Sequence, residues 1–164
     1  MTSVVDTARK QKDEYTGGSD RPLGSYLGTL AVYGLSAAGL AFLARGRTPR
    51  ATLTDLALMT ITTHKLARLI AKDTVTSPLR APFTRYEGTG GPAELREEVR
   101  GHGARHAVGE LLTCPFCLSQ WVATGYTAGM VFAPEATRLV GTTMTAVAGS
   151  DWLQLAYARL QRGV

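Results

Sequence analysis

Four stretches of this chain are apolar, and two polar stretches interrupt them. Residues 1–22 hold charges, Thr, Ser and two adjacent glycines, which predicts a polar tail with a frayed helix at 4–12. Residues 23–44 then run 22 positions without a charge. At about 1.5 Å per residue such a helix crosses a hydrocarbon core of about 30 Å. Gly24 and Gly28 form a GxxxG, joined by Gly34, Ala38 and Gly39. That many small residues weaken a helix in water but let helices approach closely in a membrane. Gly46 suits the end of this helix, and Pro49 stops its continuation.

A second apolar helix is expected over 51–71, with Thr52 or Thr54 as its cap. It also carries Asp55, His64, Lys65 and Arg68. His64 and Arg68 are four apart and share a face, whereas Asp55 lies on roughly the opposite side. Basic groups in the last two turns suit a helix end at a membrane surface, where Lys and Arg snorkel. Residues 72–110 form the largest polar insertion, with a turn at 88–91 (GTGG). A short charged helix is expected over 92–100, begun by Pro92. A third apolar helix follows over 115–133, with Gly125 and Gly129 as a second small-residue pair, and a fourth over 139–157. The fourth holds one charge, Asp151, with Trp152 and Tyr157 placed as interfacial aromatics.

The expected fold class is therefore all-α. It is a helical membrane bundle with about four transmembrane helices (23–44, 51–71, 115–133 and 139–157), one domain over 23–160, and a polar cytoplasmic insertion. Composition refines this picture. The net charge is +5, and the basic residues flank apolar segments without lining one face beside aromatics, so nucleic acid is not an expected partner. With four spans, 14 Lys and Arg fall on the side of both termini and the insertion, and four on the other. That bias places both termini in the cytoplasm, with the lipid bilayer as the first partner and a homo-oligomer or other membrane proteins as the next.

The candidate chemistry is concentrated in GELLTCPFC, residues 109–117. Pro115 suits a first helical turn and Thr113 an N-cap, so free amides would lower a thiol pKa near Cys114. A membrane thiol-disulfide oxidoreductase would use Cys114 as the attacking thiol and Cys117 as the resolving one. No cofactor is expected as the first reading; the candidate is zinc, through H-x3-H-x7-C-x2-C, with His102, His106, Cys114 and Cys117 as the ligands. A third reading leaves both cysteines structural at a helix entry. Asp151 within an apolar run needs a partner, and His64 or Arg68 is the candidate.

The run KDTVTSPLRAPFTRYEG (residues 72–88), together with GELLTCPFC and the following Trp121, resembles a bacterial family, the domain of unknown function thirteen-sixty, over roughly residues 50–160. The resemblance implies an uncharacterised membrane-associated protein, with relatives connected to sporulation; the topology read from the basic residues places it in the bacterial cytoplasmic membrane. It brings no activity and no site residues. No Gly-rich phosphate loop, nucleophile elbow or HExxH occurs. The function expected from the residues is a non-enzymatic structural or interaction component of the membrane.

Overall fold

Helix α3 (Leu53–Lys72) starts where Thr52 can cap it. The Thr52 hydroxyl accepts the Asp55 N–H, and the Asp55 carboxylate accepts the Thr52 N–H in return. Two backbone donors are satisfied reciprocally. The computed structural model describes residues 3–19, 21–47 and 50–163. Pro49, expected to stop the first apolar helix, lies outside them.

Before α3 come α1 (Val4–Thr16), opened by the Ser3–Asp6 capping box, and α2 (Leu23–Leu43). After α3 come α4 (Ser77–Arg80), strands β1 (Thr84–Thr89) and β2 (Leu95–Val99), and helices α5 (Ala104–Thr113), α6 (Pro115–Phe132) and α7 (Pro134–Arg162). The Lys65–Asp151 and Asp55–Arg138 ion pairs, with Thr62 donating to the Gly141 carbonyl, show that α3 and α7 run parallel. Helix α6 packs antiparallel against both, with Leu118 near Ala67 and Ala71 and with Thr127 near Met59. Ala67, Ala71 and Leu118 centre a small core, packed by Ile70, Leu111, Leu112 and Val122.

The expectation of a four-span, all-α bundle is corrected here. Among the described residues one helix, α2, is long and apolar enough to cross a membrane. The other three candidate spans are helical, but their polar content is too high. Helix α3 holds Asp55, His64, Lys65, Arg68 and Lys72, while α6 is 18 residues long and holds Ser119, Gln120 and four further hydroxyl or amphipathic positions (Trp121, Thr124, Tyr126, Thr127). Helix α7 holds Glu135, Arg138, Asp151, Arg159 and Arg162. The multi-pass placement, with both termini and the insertion in the cytoplasm, assumed four crossings and falls with them.

The insertion is not helical over 92–100. Strands β1 and β2 pair antiparallel, with a bulge between Tyr86 and Gly88. The turn closes as the Gly90 N–H donates to the Glu94 carbonyl at 2.7 Å and the Glu94 N–H to the Gly91 carbonyl at 3.0 Å. Pro92 sits inside this turn, followed by Ala93 at φ 60°. Strand β2 alternates half-buried Leu95, Glu97 and Val99 with exposed Arg96 and Glu98. The charged residue at its inner middle position hides the period-two signal. The third apolar helix, expected over 115–133, is α6, and a separate helix, α5, precedes it. Cys114 is extended (φ −101°, ψ 105°), as the residue before a proline prefers, and α5 ends there.

Candidate functional site

The last two turns of α3 present His64, Lys65, Arg68 and Lys72 to a cavity of about 610 Å³. Asp151, Trp152 and Leu155 of α7 form the facing wall, and the hairpin turn, Gly91 to Glu94, forms the third side. The three polar candidates His64, Arg68 and Asp151 thus come together in one place. Their pairing differs from the expected one. Lys65 Nζ lies 2.5 Å from the Asp151 carboxylate, and Arg68 pairs with Glu94. Both pairs connect elements distant in sequence, which helical spacing alone does not reveal. Lys72 enters no ion pair or hydrogen bond among the described residues, while the Asp73 carboxylate accepts the Val75 N–H at 3.0 Å.

At the opposite end of α3, Arg138 Nε donates to the buried Asp55 carboxylate at 2.7 Å. The Arg138 guanidinium, helped by the Thr52 amide and hydroxyl, holds the Asp55 carboxyl well below the usual carboxylate range. A depressed folded-state pKa contributes stability that is present above the unfolded value, about 4, and is lost as pH falls toward the folded one. Asp55→Asn keeps an acceptor for the cap but removes the charge. The variant is expected to be less stable at neutral pH, with the difference from wild type shrinking steadily below about pH 4. Thermal midpoints measured from pH 7 down to pH 2 check this, and a constant difference would contradict it.

The cysteines divide the α5–α6 corner. Both are free thiols. Cys114, not Thr113, is the N-cap of α6: its Sγ accepts the Cys117 N–H at 3.2 Å, while the Thr113 hydroxyl donates back to the Gly109 carbonyl at 2.9 Å. Burial first, then the hydrogen bond and charge of the Cys114 thiol, push the Cys117 thiol up to about 11. Cys117 opens onto a groove of about 300 Å³, lined also by Tyr26, Tyr33, Glu110 and Trp121. Glu110 accepts from the Tyr26 hydroxyl and faces His106 Nε2 at 3.4 Å and Arg21 at 3.7 Å. Tyr33 shares a hydrogen bond of 2.9 Å with Thr124 and meets Trp121 edge-on. His106 is thus directed to Glu110, and no three His, Cys, Asp or Glu side chains gather as a metal site among the described residues. His102, His106, Cys114 and Cys117 do not share one coordination sphere.

One organising group was invisible in the sequence. Arg80 is wholly buried and pairs with Glu97 of β2. It also donates to the carbonyls of Ile70 at 2.6 Å and Asp73 at 2.9 Å, and to the Thr76 hydroxyl at 2.8 Å. It therefore satisfies carbonyls left free at the end of α3 and fixes the hairpin that closes the large cavity. Its only trace in the sequence is its place within the 72–88 run.

These features lie within a recognisable segment. A family model described as a protein of unknown function (DUF1360) matches residues 58–157, from the second turn of α3 to the second half of α7. The sporulation protein YjcA of Bacillus subtilis (strain 168) is 30% identical over 111 residues, which is 60% of this chain and 93% of that relative. No solved structure matches the chain. Both the cavity and the Arg80 cluster fall inside the matched segment, and the resemblance drawn from the 72–88 and 109–117 runs is borne out: this chain belongs to the DUF1360 family of proteins of unknown function.

Proposed function

We propose that this protein is a membrane-associated, non-enzymatic component that acts through the bilayer and neighbouring membrane proteins. The observation that carries this reading is α2, which has the length and composition of a membrane helix and no buried residue. Leu27, Leu30, Val32, Leu35, Phe42 and Leu43 all stand exposed along it. A soluble domain would leave this apolar surface in water at a cost of about 25 cal/mol per Å². The absence of any buried residue on α2 favours a membrane helix over a core helix of this chain. Gly24 and Gly28 also face open space, which suits approach by a second helix, from another copy or another protein.

The structural reading of the cysteines rests on Cys114, whose Sγ accepts the Cys117 N–H as the cap of α6. The same amide contact favours a thiolate at Cys114, and the raised pKa falls on Cys117, the resolving thiol of the redox alternative, so thiol exchange stays as the second reading. The relative from Bacillus subtilis is named for sporulation. A membrane component serving that process is the physiological role this similarity supports.

Alkaline carbonate extraction tests the reading. The full chain is expected to stay with the membrane pellet, as integral proteins do. A Leu30→Asp, Leu35→Asp variant places two charges on the exposed face of α2, each costing about 2.5–3.5 kcal/mol in a bilayer centre. This variant is expected in the supernatant. Release of the wild-type chain by carbonate would refute membrane association through α2.

A further inference from the structure

We infer that the cavity between α3, α7 and the hairpin turn binds the phosphate head of an anionic amphiphile, with the tail lying along Trp152 and Leu155. Its volume, about 610 Å³, is within the range of ligand pockets, about 300–1,000 Å³. His64, Arg68 and Lys72 follow one another at four-residue spacing and so form a single stripe, with Lys65 beside it. Leu69, Ala148, Trp152 and Leu155 supply an apolar surface against that stripe. The cavity therefore sets the basic stripe of α3 opposite Ala148, Trp152 and Leu155 of α7, with Asp151 and Gln154 beside them, and offers an amphiphile both a charged and an apolar side.

The charges inside the cavity are unequal in availability. Asp151 and Glu94 are taken by Lys65 and Arg68, and Asp73 is turned to the Val75 amide of its own loop. Lys72 remains with no partner among the described residues, at the end of a helix whose carbonyl dipoles already favour a cation. A phosphate oxygen beside Lys72 would also reach the guanidinium side of the Arg68–Glu94 pair, where a planar fork suits phosphate. The two ion pairs then act as walls that keep Lys65 and Arg68 in place, and outside them the lining carries Lys72 and the Asp73 carboxylate, which accepts the Val75 N–H away from Lys72. Trp152, an exposed indole at the rim, sits where interfacial tryptophans meet headgroups.

The inference deepens the membrane reading and rests on it for the source of the ligand, but its test is separate from carbonate extraction. Full-length protein in a nonionic detergent is titrated with dihexanoyl phosphatidate, a soluble short-chain lipid, and Trp152 fluorescence is followed. Saturable quenching is expected, absent in Trp152→Phe. Lys72→Gln is expected to weaken binding at least tenfold, and Lys72→Arg to restore it. Dihexanoyl phosphatidylcholine, with no net charge, is expected to bind at least tenfold more weakly, and inorganic phosphate to compete only at hundredfold higher concentration. No saturable signal, or equal affinity in Lys72→Gln, would overturn the assignment. Phosphate alone binding as tightly as the lipid would overturn the role of the apolar wall, and equal binding of the choline lipid would overturn the role of the charge.

Discussion

Replacing Arg80 with alanine is expected to destabilise the fold by about 3–5 kcal/mol, the range for breaking a buried ion pair on one side. The side chain is 0% exposed and that of its partner Glu97 is 6% exposed. Removing the guanidinium leaves a carboxylate shut away from water with only a 3.5 Å contact from the Thr84 hydroxyl. It also removes donors from the Ile70 and Asp73 carbonyls, each a group that costs about 1–3 kcal/mol when buried and unmatched. The thermal midpoint should fall by about 10 °C for a chain of this size. Glu97→Gln should fall less, because the amide oxygen still accepts from Arg80 and the backbone bonds remain. Replacing both by apolar residues of similar volume should recover part of the loss, since the isolated charge is gone while the two carbonyls keep only the Thr76 hydroxyl, at 3.1 Å from Asp73 and 3.5 Å from Ile70. A midpoint for Arg80→Ala within about 2 °C of wild type would show that the cluster does not hold the hairpin to α3. The effect should reach the cavity as well, because the Gly91 to Glu94 turn is one of its walls.

That cluster also marks where reading the sequence stops. The helices were legible because apolar residues recur along them and because caps and prolines mark their ends: Thr52 before α3 and Pro115 at the start of α6. The hairpin was not, because Glu97 occupies an inner position of β2, where a hydrophobic residue would have completed the alternation. Glu97 can sit there only because Arg80, 17 residues earlier, neutralises it. A local pattern therefore misreported a strand whose inner face is satisfied by a long-range charge. The overcounting of spans has a related cause. Polar residues that pair across α3 and α7, such as Asp55 with Arg138 and Lys65 with Asp151, were read as exceptions within apolar runs. They are instead the contacts that set the packing of the two helices. The candidate site was legible in part: His64, Arg68 and Asp151 do line one cavity, but Lys72, Glu94 and the hairpin turn join it only through the fold. The CPFC motif drew attention by its chemistry, while its visible task, Cys114 capping α6, follows from the extended backbone that Pro115 imposes.

Glycines that look alike in the sequence should respond to substitution with opposite signs. Gly109 is buried where α5 crosses the hairpin, and a Cβ there would lie 2.6 Å from Val99 Cγ1 and 3.2 Å from the Phe83 carbonyl oxygen. Val99 is short and β-branched, so its methyl has little freedom to retreat. The Phe83 carbonyl accepts the Arg100 N–H at 2.9 Å and cannot shift without pulling the strand ends apart. Gly125, on α6, has nothing within 4 Å of the same construction. Alanine is intrinsically better than glycine in a helix by about 1 kcal/mol. Gly125→Ala should therefore stabilise by up to about that amount. Gly109→Ala should destabilise despite the same intrinsic gain, because overpacking costs about 1–3 kcal/mol, and Gly109→Val should cost about 3 kcal/mol or more. The decisive comparison is the pair Gly109→Ala with Val99→Ala. Removing Cγ1 deletes the closest contact, so the double variant should be more stable than the sum of the two single effects predicts, by an interaction of about 1 kcal/mol within the usual range for touching residues. Additive effects in denaturant or thermal unfolding would mean that α5 does not press on β2 at this point. The hairpin would then owe its position to Arg80 and to the Arg68–Glu94 pair.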